Sequence, residues 1–108
     1  MKSLKVRLTI LLGVSLVAST AFAATWTTAA KVTNVLSGTL GGNVEIVGLP
    51  KANAACTSAN ISFKSDWSDT TKTLQLAMAA LLSGRKLSCL VDTTCDGADQ
   101  KGLMCSLQ

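Results

Sequence analysis

The chain has 108 residues, with ten Lys+Arg, six Asp+Glu, four cysteines and neither histidine nor tyrosine. Without histidine the usual base that activates a serine or cysteine nucleophile is missing, which argues against a hydrolytic enzyme. The formal net charge of +4 is concentrated at the start of the chain: without Lys2, Lys5 and Arg7, seven basic residues face six acidic ones, for a net of +1. Such a balance implies neither nucleic acid nor an anionic membrane as a partner.

Residues 1–23 read as a signal peptide. Lys2, Lys5 and Arg7 form a basic start, residues 8–18 are mostly apolar, and Ala21-Phe22-Ala23 fits the small-x-small rule for cleavage after Ala23. The apolar run is shorter than the roughly 20 residues of a membrane span, which favours a cleaved signal over an uncleaved anchor, and with no second long apolar run in the sequence no membrane insertion is expected after cleavage. Residues 24–108 are then a single small domain that is secreted or periplasmic. Cys56, Cys89, Cys95 and Cys105 all lie in it. An even count in an exported chain favours two disulfides, and the C-x₂₋₄-C spacing of a zinc site is absent. No metal or other cofactor is implied.

In chain order, residues 24–37 are β-prone, with Trp26, Val32, Val35 and Leu36 as bulk. Their alternation slips once, as a bulge or bend would explain. The run GTLGGN, residues 38–43, is a hairpin turn. Residues 44–49 alternate, with Val44 and Ile46 on one face, and Pro50 ends the strand. A small-residue loop over 51–58 carries Cys56, and a short strand over 60–64 puts Ile61 and Phe63 on one face. Next comes a polar loop, 65–69, and then a helix started by Ser68 or Asp69 and stopped by Gly84. Leu74, Met78, Leu81 and Leu82, with Ala77 between them, recur as an apolar stripe. A second, fairly apolar face of Leu76, Ala79 and Ala80 suits contact with another subunit. A strand over 87–92, a polar loop over 92–100 and a strand over 102–107 complete the chain. Leu87, Cys89 and Val91 share one face of the first of these strands, and Leu103, Cys105 and Leu107 one face of the second.

The order β-β-β-α-β-β predicts a mainly β domain with one helix, an OB-fold-like small barrel stabilised by disulfides. An open α+β sheet is the alternative. An antiparallel hairpin of the last two strands would set Cys89 opposite Cys105, leaving Cys56 to pair with Cys95; the local pair Cys89–Cys95 stays open. Asp66 and Asp69 read as loop and capping residues rather than an acid–base pair. Asp66, Trp67 and Ser68 are the candidate ligand-binding residues, because an indole face beside carboxylate and hydroxyl groups suits a sugar. The other role for Trp67 is a staple folded back on the helix. Trp26 is expected to pack within the first strand.

Three stretches, ATWTTAAKV after the cleavage site, CTSANISF around Cys56 and KTLQLAMAALLSGRKLSCLVDTTC from helix to cysteine, together resemble the small secreted OB-fold proteins related to the binding (B) subunits of pertussis-like and subtilase-type bacterial toxins. The resemblance implies a homo-oligomer, a ring of five with helices lining its centre, that binds host glycans and accompanies a secreted enzymatic subunit. The subtilase-type subunits use a tyrosine for sugar contacts and this chain has none, so the resemblance assigns no contact residue. The expected function is a secreted non-enzymatic binding module, either a glycan binder of this toxin type or a protein-binding or inhibitor module without glycan affinity.

Overall fold

A computed structural model describes residues 24–38 and 42–108; the expected signal peptide lies outside the described residues. Alternation of apolar and polar residues lays down one sheet. Its strands are β1 (Thr25–Trp26), β2 (Ala30–Lys31), β3 (Asn34–Ser37), β4 (Asn43–Val47), β5 (Ile61–Lys64), β6 (Lys86–Asp96) and β7 (Asp99–Leu107). The strand order is β1-β6-β7-β5-β4-β3, with β2 also paired to β6. Every pairing is antiparallel except β5 with β7. Among the described residues the fold is mainly β with a single helix, α1 (Thr70–Ser83).

The expected barrel is not closed: the sheet is open, and the long first strand is divided. β1 and β2 pair with β6 at one end of the sheet, whereas β3 pairs with β4 at the other. Only Val32 and Thr33 separate β2 from β3, and the two strands pair with β6 and β4 instead of with each other. Val32 turns into the core, and the Thr33 backbone N–H donates to the Val47 carbonyl at 2.9 Å. Gly48 makes this crossing possible. Its φ is +119°, and a Cβ there would come within 2.7 Å of Thr33 N and 2.9 Å of Lys31 O. Gly48 is therefore a point of close backbone approach between the start of β3 and the end of β4.

The core is built from Val44, Ile46, Leu49, Ile61, Phe63, Leu87, Cys89 and Val91. Ile46, Ile61, Phe63 and Leu87 have no exposed surface; burying each such side chain contributes about 1.5–3 kcal/mol. The Phe63 ring lies where a Cβ of Gly102 would stand, together with Ile61 Cγ2. Gly102 thus provides space for the largest core side chain. Both expected disulfides are present, Cys56–Cys95 and Cys89–Cys105, the latter between register partners of β6 and β7. They fit an oxidising compartment. Among the described residues no helix is long and apolar enough to cross a membrane.

The expectations for the last two strands and for the helix need correction. Residues 92–100 are not a loop: β6 continues to Asp96 and β7 begins at Asp99, with register shifts between Leu90 and Cys95. Leu90 pairs with Met104 and Val91 with Gly102, so Leu103 is the extra residue of a bulge and leaves the face that Cys105 and Leu107 present to the core. The helix is also rotated relative to its apolar stripe. Asp69 caps it by accepting from the Lys72 N–H at 3.1 Å, and Gly84 closes it with φ 71°. The buried positions are Thr73, Ala77 and Ala80, with Leu74, Leu76 and Leu81 packed beside them. Small residues in the centre let the helix approach the strands closely, and the leucines fill its flanks. Met78 and Leu82 are exposed, Leu82 at 79 %, and of the face assigned to a neighbouring subunit only Ala79 is exposed.

Candidate functional site

The outward positions of the sheet form a polar row. Strand register aligns Leu36 with Glu45, Glu45 with Ser62, and Ser62 with Lys101 across β3, β4, β5 and β7. Lys64 lies two residues beyond Ser62 on the same face, and Asp99 two before Lys101. The end of β6, tied down by Cys95 to Cys56, brings Asp96 across to β5. The Ser62 hydroxyl donates to Asp96 at 2.8 Å, and Lys64 Nζ pairs with the same carboxylate at 2.9 Å.

Each carboxyl group here has a distinct environment. Lys64, and then the Ser62 hydroxyl, hold Asp96 below the ordinary carboxylate range. Asp92 is lowered by the Thr93 backbone N–H and the Thr94 hydroxyl, with a smaller contribution from Lys101, whose Nζ is 3.8 Å away. Glu45 is raised instead: its carboxyl group hydrogen-bonds that of Asp99, and burial and the Asp99 charge add to the effect. Beside Glu45 a groove of about 250 Å³ runs over β3, β4 and β5, lined by Leu36, Ser37, Asn43, Glu45 and Ser62 among others.

Trp67 stands at the other side of this surface. Residues 65–68 form a turn in which the Trp67 and Ser68 N–H groups both donate to the Lys64 carbonyl at 3.0 Å. The Lys101 ammonium lies 4.4 Å from the Trp67 ring centroid and that of Lys64 5.6 Å, within the range of cation–π attraction. Trp67 Nε1 is buried without a hydrogen-bond partner. The three candidate contact residues are consecutive, but their side chains have different surroundings. Asp66 is exposed, Trp67 is half-buried beside two lysines, and the Ser68 hydroxyl donates to the Leu103 carbonyl at 3.2 Å. Trp26, expected to pack, is 46 % exposed on β1, where the two-residue strand leaves its outward side uncovered.

Sequence reasoning missed Glu45, Asp99, Lys64 and Lys101 as neighbours, because only the parallel pairing of β5 with β7 brings them together. It also missed Gln100, a fully buried polar residue. Its Oε1 accepts from Ala52 N and Asn53 N at 2.7 and 2.8 Å, and its Nε2 donates to the Ala59 carbonyl at 2.8 Å. Gln100 thereby holds the loop that carries Cys56 against β7. All four cysteines are in disulfides, and no group of three or more His, Cys, Asp or Glu side chains among the described residues is placed to hold a metal ion. No family model, curated protein or solved structure matches the chain.

Proposed function

We propose that residues 24–108 form an exported, non-enzymatic binding module that meets a protein partner through the outer face of β4, β5 and β7. The observation that carries this reading is the placement of charge. Four of the six carboxylates in the sequence, Glu45, Asp92, Asp96 and Asp99, surround Lys64, Lys101 and Trp67 on one side of the sheet. A mixed-charge surface with one aromatic and an open groove suits recognition in which complementary charges fix the register of a partner. Two disulfides and the buried Gln100 network hold the strands beneath it. The strand order supports an OB-like fold opened at one seam, since one segment supplies both sheet ends and the helix falls between the third and fourth of five strand regions.

A glycan is the second reading, favoured by the partly exposed Trp67 ring with Asp66 beside it. It belongs with the toxin-type proposal of a ring of subunits carrying a secreted enzymatic partner. The Lys101 ammonium over the indole and the engaged Ser68 hydroxyl count against it, since a sugar would have to displace the first and do without the second. The test is a glycan array probed with oxidised residues 24–108, with light scattering for oligomeric state. The protein-partner reading predicts no glycan signal that Trp67→Ala abolishes. A glycan signal lost in Trp67→Ala, from an oligomer, would transfer the site to sugar and overturn the protein reading.

A further inference from the structure

The groove over Leu36, Glu45 and Ser62 is graded in chemistry along its length. Leu36, 46 % exposed, gives one apolar wall. Ser37, Asn43 and Ser62 contribute hydroxyl and amide groups and Glu45 a carboxylate; register sets Glu45 opposite Ser62 and Ser62 opposite Lys101, and Asp99 lies two residues before Lys101 on the same face. Among the described residues the ion pairs engage Asp96 with Lys64 and Asp92 with Lys101, and neither includes Glu45 or Asp99. Two carboxyl groups held against one another repel when both are ionised, and a cation between them would remove that repulsion. No aromatic side chain lines the groove, so it offers no stacking surface for a sugar ring or a base.

A lysine or arginine side chain has the matching profile, an apolar stem that packs along a hydrophobic wall and a cationic head. We propose that this groove receives one lysine or arginine side chain of a protein partner, with its stem on Leu36 and its head at the Glu45–Asp99 carboxylates. The proposal rests on the protein-partner reading of the β4–β5–β7 face and assigns its charged anchor point. A single such contact in an open groove is weak and salt-sensitive; in a full interface it sets orientation more than affinity.

The experiment uses ¹⁵N-labelled, oxidised residues 24–108 titrated with acetyl-Gly-Lys-Gly-amide and with the same peptide carrying norleucine, which keeps the stem and removes the charge. Amide shifts are expected at Ser37, Asn43, Glu45 and Ser62, with a dissociation constant on the order of millimolar. Norleucine, and Glu45→Gln or Asp99→Asn in the protein, should each weaken binding about threefold to fivefold. Equal binding of the two peptides, no binding at all, or binding unchanged in both variants overturns the groove assignment. Lysine-dependent shifts centred on Lys64, Trp67 and Lys101 would overturn the groove while leaving the binding face in place. Shifts confined to α1 would overturn both.

Discussion

Gln100→Met is the substitution that tests most sharply how the loop carrying Cys56 is held. Methionine keeps the length and much of the volume of glutamine but has no amide. The change removes three hydrogen bonds of 2.7–2.8 Å, leaving the Ala52 and Asn53 N–H groups and the Ala59 carbonyl without their partner. An orphaned buried polar group costs about 1–3 kcal/mol. These backbone groups lie on a loop that can admit water, so the lower figure applies to each and the total is about 3 kcal/mol. For a domain of this size that is a fall in Tm of roughly 12–24 °C. Urea unfolding with both disulfides intact measures the loss, and hydrogen exchange at the Ala52 and Asn53 amides locates it. A loss below about 1 kcal/mol, with those two amides still protected, would refute the claim that Gln100 anchors the loop.

Gly102→Ala should destabilise by about 1–3 kcal/mol or more, since its methyl group enters the space of the Phe63 ring; the urea midpoint should fall, and Phe63→Leu in the same chain should recover part of it. Glu45→Gln should raise the urea midpoint at pH 7, because a carboxyl group with a raised folded-state pKa contributes stability below its unfolded pKa and loses it as pH rises through the folded one. The gain should therefore shrink as pH falls through the raised folded-state pKa of Glu45 and vanish by the ordinary glutamate value of about 4.3, whereas wild-type stability drops at lower pH, below the ordinary aspartate value of about 3.9, as Asp92 and Asp96, both lowered in the fold, become protonated. On the helix, Leu82→Lys should change stability by less than about 0.5 kcal/mol, whereas Leu76→Lys should cost about 1–3 kcal/mol, because Leu82 is exposed and Leu76 packs on the core.

Where one residue dictates its own local geometry, the sequence is informative. Gly84 ends the helix, Asp69 caps it, and the alternation of Val44 and Ile46 or of Leu87, Cys89 and Val91 points those side chains inward. The hairpin of β6 and β7 made the cysteine pairing legible as well. What escaped depends on contacts between distant segments. The helix stripe is correct at Ala77 and misses Thr73 and Ala80, because leucine and methionine outweigh alanine and threonine in an apolar pattern, whereas a close helix–sheet approach selects small residues. Gln100 looked like a loop residue because its three partners lie 41–48 residues away and carry no side-chain signature. Of the candidate site, Trp67 was visible as an aromatic in a polar turn. Its lysine neighbours and the Glu45–Asp99 pair were not, since they come from strands whose parallel register no local pattern encodes.

The central claim is that the outer face of β4, β5 and β7 is the contact surface. Site-specific photocrosslinking in cells expressing the full chain tests it most directly, with benzoylphenylalanine replacing Ser37 or Asn43 at the groove rim and, for comparison, Gln75 on the exposed side of α1. One discrete protein adduct is expected from Ser37 and Asn43, reduced when Glu45→Gln is added, and none from Gln75. An adduct from Gln75 with none from the groove rim would contradict it.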